Sequence, residues 1–279
     1  MKKSRQNTVP ESALILADIE GITGVFDKQQ CKPGTSAWRA ARSLITADVN
    51  AAICGLKAAG VREIFARDMH GTGFNILSEK IEDGVQCLQG HHWKPVPLLG
   101  TIPDAACAIM IGWHAGPDQK EGFSPHIFHR CIRSLKIDNV PVTEVELFAA
   151  ALGEYHIPVT FLTADKVAIE RIRGNMPWIS TLAIPKQALS KEKAQAIRGQ
   201  IESGVRESIT DMRRTSPLIL GPHMAEMRTR RQLFTWESAS GLETFTRVLA
   251  NSVFSPYPTC LLPLLLAGYR LWSRIGNER

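Results

Sequence analysis

Leu14-Ile15-Leu16-Ala17-Asp18-Ile19-Glu20-Gly21 is an apolar run that stops at two carboxylates two residues apart, and Ile22-Thr23-Gly24 closes the stretch. Residues 13–18 read as a short strand buried on both faces. Side chains alternate along a strand, so Asp18 and Glu20 point the same way if the extended backbone persists. Two acids on one side repel each other unless a cation sits between them. A strand running into a polar turn produces the same letters. The stretch therefore takes its meaning from what the rest of the chain brings to it.

Residues 25–35 read as a loop, and a helix follows. Trp38, Ala41, Ile45, Val49, Ala52, Leu56 and Ala59 recur at three- and four-residue spacing, with Ser36 placed to cap the start and Gly60 the end. Glu63–Asp68 is a second strand, so strand, helix and strand imply a right-handed crossover and a parallel pair. Residues 74–104 look irregular. Ala106–Trp113 is a third strand ending at His114, and residues 127–142 suggest a hairpin about Asp138-Asn139. A helix begins near Thr143, and Pro158–Ala164 is a fourth strand running into Asp165. The expected class is α/β: a mainly parallel sheet with flanking helices and a smaller C-terminal α+β subdomain.

In the last third, Ser190 can cap a helix carrying Ile197, Ile201, Val205, Ile209 and Met212, and residues 217–253 mix strand-like and helix-like pieces. The expected division is a metal-binding α/β catalytic domain over 12–185, a smaller subdomain over 186–254, and an apolar tail of unknown role over 255–279. The tail contains Cys260-Leu-Leu-Pro-Leu-Leu-Leu-Ala-Gly-Tyr269. That run is short for a bilayer span and holds a proline, so a docking segment or subunit contact is expected rather than a stable membrane span.

Of 279 residues, 44% are hydrophobic and 22% charged, which allows a sizeable core. The net charge of +6 comes from 33 bases mixed with 27 acids. No basic block is dense enough to argue for nucleic acid. Six cysteines are scattered without a C-x-x-C pair, as reduced thiols of a cytoplasmic protein would be. The apolar segment Ala13–Ala17 is too short for a signal-peptide core.

Polar residues gather where the expected strands end: Asp18 and Glu20 after the first, Asp68 and His70 after the second, His114 after the third. Glu144 lies in the first turn of the following helix. Ligand sites in open α/β sheets form outside these carboxyl ends. Two histidines and three carboxylates suit zinc, with manganese or cobalt as alternatives. Five such donors exceed what one catalytic zinc needs and suit two metals, with Asp18 as the bridge. Each residue also has an ordinary role open to it: Glu144 complements a helix dipole, and Asp68 caps a loop.

Five motifs carry a resemblance: Asp18-Ile-Glu-Gly-Ile-Thr-Gly24, Asp68-Met-His70-Gly, Gly112-Trp-His114-Ala, Gly122-Phe-Ser-Pro-His126 and Val142-Thr-Glu144. In order and spacing they resemble the DppA-type zinc D-aminopeptidases, metallopeptidases associated with dipeptide uptake. The likeness covers residues 12–165 well. It continues weakly through Ala225-Glu-Met227 and Gly241–Thr246, and residues 167–195 give no convincing match. The resemblance implies that Asp18, Glu20, His70, His114 and Glu144 bind two Zn2+ per subunit. It implies that His126 stands beside the metals as a catalytic group, positioning or protonating the tetrahedral intermediate or the leaving amine. The implied reaction is release of N-terminal D-amino acids, such as D-alanine, from short peptides by metal-activated water. A homodecameric ring of stacked pentamers is implied as well. Two other readings remain open: a related metallohydrolase acting on other amides or L-peptides, and a non-catalytic peptide-binding ring scaffold.

Overall fold

The computed structural model describes residues 9–253. The chain runs β1 (Ser12–Ala17), α1 (Ser36–Ala59), β2 (Glu63–Asp68), β3 (Val85–Leu88), β4 (Cys107–Trp113), β5 (Ile132–Ile137), β6 (Val140–Pro141), α2 (Glu144–Gly153), β7 (Val159–Ala164), α3 (Lys166–Asn175), β8 (Ser180–Ala183), α4 (Lys191–Thr210), β9 (His223–Thr229), β10 (Leu233–Ser238) and α5 (Gly241–Val253).

Six strands form one sheet in the order β3-β2-β1-β4-β7-β8, with every neighbouring pair parallel. The chain enters in the middle at β1, winds outward to β3, then returns to β4 and winds the other way. The reversal between β1 and β4 opens a crevice at their carboxyl ends. All six residues of β1 are buried, because helices cover both faces of the strand.

One face of the sheet packs under α1 and α4. Trp38, Ala41, Ile45, Val49 and Leu56 join Ala13, Ile15 and Ala17 of β1 and Ile201, Val205 and Ile209 of α4 in a single core. The cap of α1 is Thr35 rather than Ser36, its hydroxyl accepting from Trp38 N. Thr35 keeps an extended backbone while Ser36 is already helical, as capping geometry requires. Gly60 ends the helix in the left-handed region, as expected.

The other face packs against α2, α5 and a four-stranded antiparallel sheet in the order β10-β9-β5-β6. The hairpin joining β5 to β6 turns at Asp138 and Asn139, both with positive φ. This second sheet takes β5 and β6 from before residue 185 and β9 and β10 from after it, and α4 lies against α1. Three elements were not foreseen. The segment 74–104 holds β3, and the segment 167–195 holds α3 and β8. β3 and β8 are four-residue edge strands, too short and too partly exposed to carry a clear pattern. The apolar run over 255–279 lies outside the described residues. Among the described residues, no helix is long and apolar enough to cross a membrane, and five cysteines are unpaired.

Candidate metal centre

Asp18 is the first residue beyond β1, and its N–H still donates to Ile111 O at 2.8 Å, so the extended backbone persists to the carboxylate. The chain then turns against the end of β4, where Gly21 N donates to Gly112 O at 2.6 Å. A Cβ at Gly21 would overlap Trp113 O, and one at Gly112 would overlap Asp18 O. Gly112 also has φ +78, which an L side chain rarely adopts. These two glycines let the acid-bearing turn lie directly beside the strand that delivers His114.

His70 arrives on the loop after β2. Asp68, a sequence candidate, spends its carboxylate on the following loop: it accepts from Asn75 N and Nδ2, Ile76 N and His70 N. Asp68 therefore shapes the loop that carries His70. His70 Nε2 donates to Cys31 O at 2.7 Å, which turns Nδ1 toward Asp18 Oδ1 at 3.1 Å and Glu20 Oε2 at 2.7 Å. His114 Nδ1 donates to Ala115 O at 3.0 Å, leaving Nε2 at 3.4 Å from Asp18 Oδ2 and 3.6 Å from Glu144 Oε2. His126 Nδ1 donates to Ser124 O at 2.8 Å, and its Nε2 faces Glu20 Oε1 at 4.0 Å. Glu144 opens α2, with Thr143 N donating to Glu146 Oε2 at 2.5 Å behind it, and its Oε2 accepts from Phe128 N at 2.8 Å.

Each imidazole thus spends one N–H on a backbone carbonyl and presents its other nitrogen to carboxylates, the arrangement that fixes a metal-ligating tautomer. These tautomers follow from the hydrogen-bond network. With neutral rings, lone pairs face lone pairs, which only a proton or a cation relieves. His114 Nε2 is buried and makes no hydrogen bond among the described residues. Donor atoms of Asp18, Glu20 and His114 lie within 4.8 Å of one another, and so do those of His114, His126 and Glu144. The donor set fits divalent metal.

Without metal, the charges sort themselves sharply. Burial works to raise the Asp18 carboxyl, but the neighbouring His114 and His70 imidazoles hold it well below the usual carboxylate range. Burial and then the Asp18 charge raise Glu20. Burial pushes Glu144 up to about 7 despite the nearby His114. Burial opposes a charge on His70 and His114, yet the surrounding carboxylates prevail, taking His114 to about 10 and His70 well above its ordinary value. His126 goes the other way, to about 3, through burial and then the charge of His114.

The structure gathers Asp18, Glu20, His70, His114, His126 and Glu144 into one centre. Three supports were missed in the sequence. Lys186, just beyond β8, donates to Glu20 O and Ile22 O at 3.0 Å each and to Val25 O at 3.3 Å, and lies over the Phe123 ring. Asp48 of α1 accepts from Thr23 N at 2.7 Å and pairs with Arg198 of α4 at 3.0 Å. Asp165, noted only as a strand end, accepts from Ala115 N at 3.0 Å and steadies the loop after His114. None of the three stands in a local motif; Lys186 follows a strand that the sequence does not announce. Outside the centre, His223 is buried and bonded to Thr244 Oγ1 at 2.8 Å. The Cys31 thiol beside the centre is pushed up by burial and stays protonated.

Fold and centre together define an α/β protein with a carboxylate–imidazole cluster at the switch point of a doubly wound parallel sheet. A sequence model of the D-aminopeptidase family matches residues 12–254, and the chain belongs to that family. The chain is 26% identical over 181 residues to a protein of Bacillus subtilis (strain 168) named D-aminopeptidase. That match spans 64% of this chain and 65% of the relative, just under two thirds of the relative's length. Among solved structures, the chain is similar to the "Zn-dependent D-aminopeptidase DppA from Bacillus subtilis, a self-compartmentalizing protease". The TM-score is 0.78 at 20% identity, over 89% of this chain and 99% of that one, a likeness of fold.

Proposed function

We propose that this protein is a zinc-dependent aminopeptidase that releases N-terminal D-amino acids, such as D-alanine, from short peptides. The observation that carries this reading is His114 Nε2, buried without a hydrogen bond between Asp18 and Glu144. Family membership supports the reaction class, and the name of the structural neighbour supports zinc as the metal. Asp18, Glu20, His70, His114 and Glu144 would hold two ions, with Asp18 shared between them because its two oxygens face His70 and His114 separately.

Bound zinc supplies Lewis-acid activation of water and polarisation of the scissile carbonyl. The chain's own residues do the rest. Glu20 and Asp18 favour a substrate ammonium group near the centre. His126 would turn its Nε2 toward the centre, there to position the intermediate or hand a proton to the leaving amine. Lys186 holds the turn that aims Glu20. We further propose that the protein works in the cytoplasm as a ring-shaped homo-oligomer, a decamer by family resemblance; the neighbour's description as self-compartmentalizing is consistent with this.

Elemental analysis combined with a panel of D- and L-dipeptides, with and without chelator, tests the reading. About two zincs per chain and chelator-sensitive release of D-alanine from D-Ala-D-Ala are expected. Undiminished turnover by metal-free protein would sink it. Turnover of L-peptides alone would replace the D-specific reading with that of a related metallohydrolase.

A further inference from the structure

Arg67 is 4% exposed, and its Nη1 is buried without a hydrogen-bond partner among the described residues. Among the described residues no carboxylate pairs with it. Burial pulls its guanidinium down to about 10, and no acid offsets the loss. An uncompensated buried charge is costly, and the planar guanidinium fork matches a carboxylate.

The position of Arg67 says what kind of anion would reach it. Along β2, Ile64 and Ala66 belong to the core under α1, whereas Phe65 and Met69 belong to the core on the opposite face. Arg67 alternates with Phe65 and Met69, so it projects onto that opposite face. Its register partner on β1 is Leu16, two residues before Asp18 and on the same alternation. Adjacent strands and two residues of rise put the Arg67 and Asp18 Cα atoms about 8 Å apart. The charge of Arg67 reaches His91 on the loop after β3, and that loop is stitched to the His70 loop by Gly90 N donating to Gly73 O at 2.8 Å and His91 Nε2 donating to Gly71 O at 3.1 Å. Burial holds His91 neutral, with Arg67 and His70 adding to the effect, so the positive charge of this corner belongs to Arg67.

We propose that Arg67 is the recognition site for the free C-terminal carboxylate of the substrate, one strand away from the candidate metal centre. The identity of the ligand rests on the aminopeptidase reading; the anion site does not. Each residue of an extended peptide spans about 3.6 Å. With the scissile bond at the centre, a dipeptide or a peptide little longer places its carboxylate at Arg67, and longer chains overshoot it. Arg67 then works as a ruler that confines the site to very short peptides.

The test titrates zinc-loaded His126→Ala protein, slowed enough for calorimetry, with D-Ala-D-Ala and with its C-terminal amide. Tighter binding of the acid by about 10- to 100-fold is expected, as for a charge-assisted pair. Arg67→Gln in the same background should bind acid and amide alike, at the affinity the amide shows with Arg67 present. In otherwise wild-type enzyme, Arg67→Gln should raise KM for the acid while kcat stays near its original value. Arg67→Lys, which keeps the charge and the fold, should retain part of the preference. Equal binding of acid and amide, or binding of neither, overturns the proposal. So does Arg67→Gln changing the sedimentation of the assembly without changing the acid preference, since the anion partner would then be a neighbouring subunit. If neither peptide is hydrolysed by wild type but the acid preference exists and depends on Arg67, the aminopeptidase reading fails and the anion site stands.

Discussion

The His114 imidazole lies flat against that of His126, with ring centroids 4.1 Å apart and planes 6° from parallel. Two rings of the same chemistry, in contact, are driven in opposite directions. Carboxylates on the edge of His114 take it up to about 10, whereas burial and the charge of that same neighbour take His126 down to about 3. Neighbouring groups pushed apart in this way are a means of dividing roles within one site. On the proposed reading His114 serves as a metal ligand, and His126 stays a neutral ring.

His126→Ala should lower kcat by about 10²- to 10⁴-fold, the range for loss of a proton-transfer group, with zinc content unchanged. Steady-state kinetics and elemental analysis on the same preparation decide it. Because its donor nitrogen also clusters with those of His114 and Glu144, a drop to half the zinc would make His126 a ligand instead.

Asp18→Asn should cost more metal than Glu144→Gln. The Asp18 carboxylate faces both His70 and His114, whereas of those two Glu144 faces only His114. Loss of nearly all bound zinc is expected for the first and of about one ion per chain for the second, with turnover falling by at least about 10³-fold in both, since catalytic metal is removed. Equal and partial zinc loss in the two variants would refute Asp18 as the shared ligand.

Chelator-treated protein should lose stability as pH rises from 7 to 10. His114 has a folded value of about 10 against an ordinary 6.5, and His70 is raised in the same sense. A raised value contributes stability that is fully present below 6.5 and is lost as pH climbs through the folded value. Glu144, raised from 4.5 to about 7, acts with the same sign at lower pH. His126, shifted downward, contributes the opposite dependence, but only as pH falls below its ordinary 6.5. Metal takes the place of these protons, so zinc-loaded protein should keep its melting temperature across the window, and zinc affinity should strengthen with pH. Thermal melts at pH 7 and pH 10, with and without chelator, measure the contrast. A metal-free Tm that rises over this interval would contradict it.

Lys186→Met should lower kcat/KM by about 10- to 100-fold, the range for outer-shell support of a metal site, by loosening the turn from Glu20 to Val25. Lys186→Arg should restore part of the loss. Because the ammonium spends its hydrogens on Glu20 O, Ile22 O and Val25 O, the readout that separates positioning from plain stability is zinc affinity at a temperature well below the melt. Unchanged affinity with reduced Tm would make Lys186 structural only.

Much of this molecule was readable before it was seen. β1, α1, β2, β4, β7 and α4 declare themselves because each repeats its pattern within its own span, and Asp138-Asn139 marks its turn by residues that tolerate a positive φ. β3 and β8 stayed hidden because four half-exposed residues at a sheet edge carry no period. The ligand candidates were legible because carboxyl ends of parallel strands converge, so Asp18, His70 and His114 share a location as soon as the strands are recognised. Asp68 was legible as an acid but not in its role; whether it faced the centre depended on Asn75 and Ile76 turning back to it.

By itself, then, the sequence determined the alternation of strand and helix, and with it the rim on which acids and histidines would meet, because periodicity and strand direction are local properties of the chain. Only the tertiary structure decided which nitrogen each imidazole presents, since that is set by Cys31 O, Ala115 O and Ser124 O. It alone brought Lys186 to the Glu20 turn from 166 residues away and joined strands from both sides of residue 185 into one sheet. It alone left Arg67 buried without an acid among the described residues. Burial, tautomer and long-range pairing depend on what else arrives at a point in space, and no stretch of chain records that about itself.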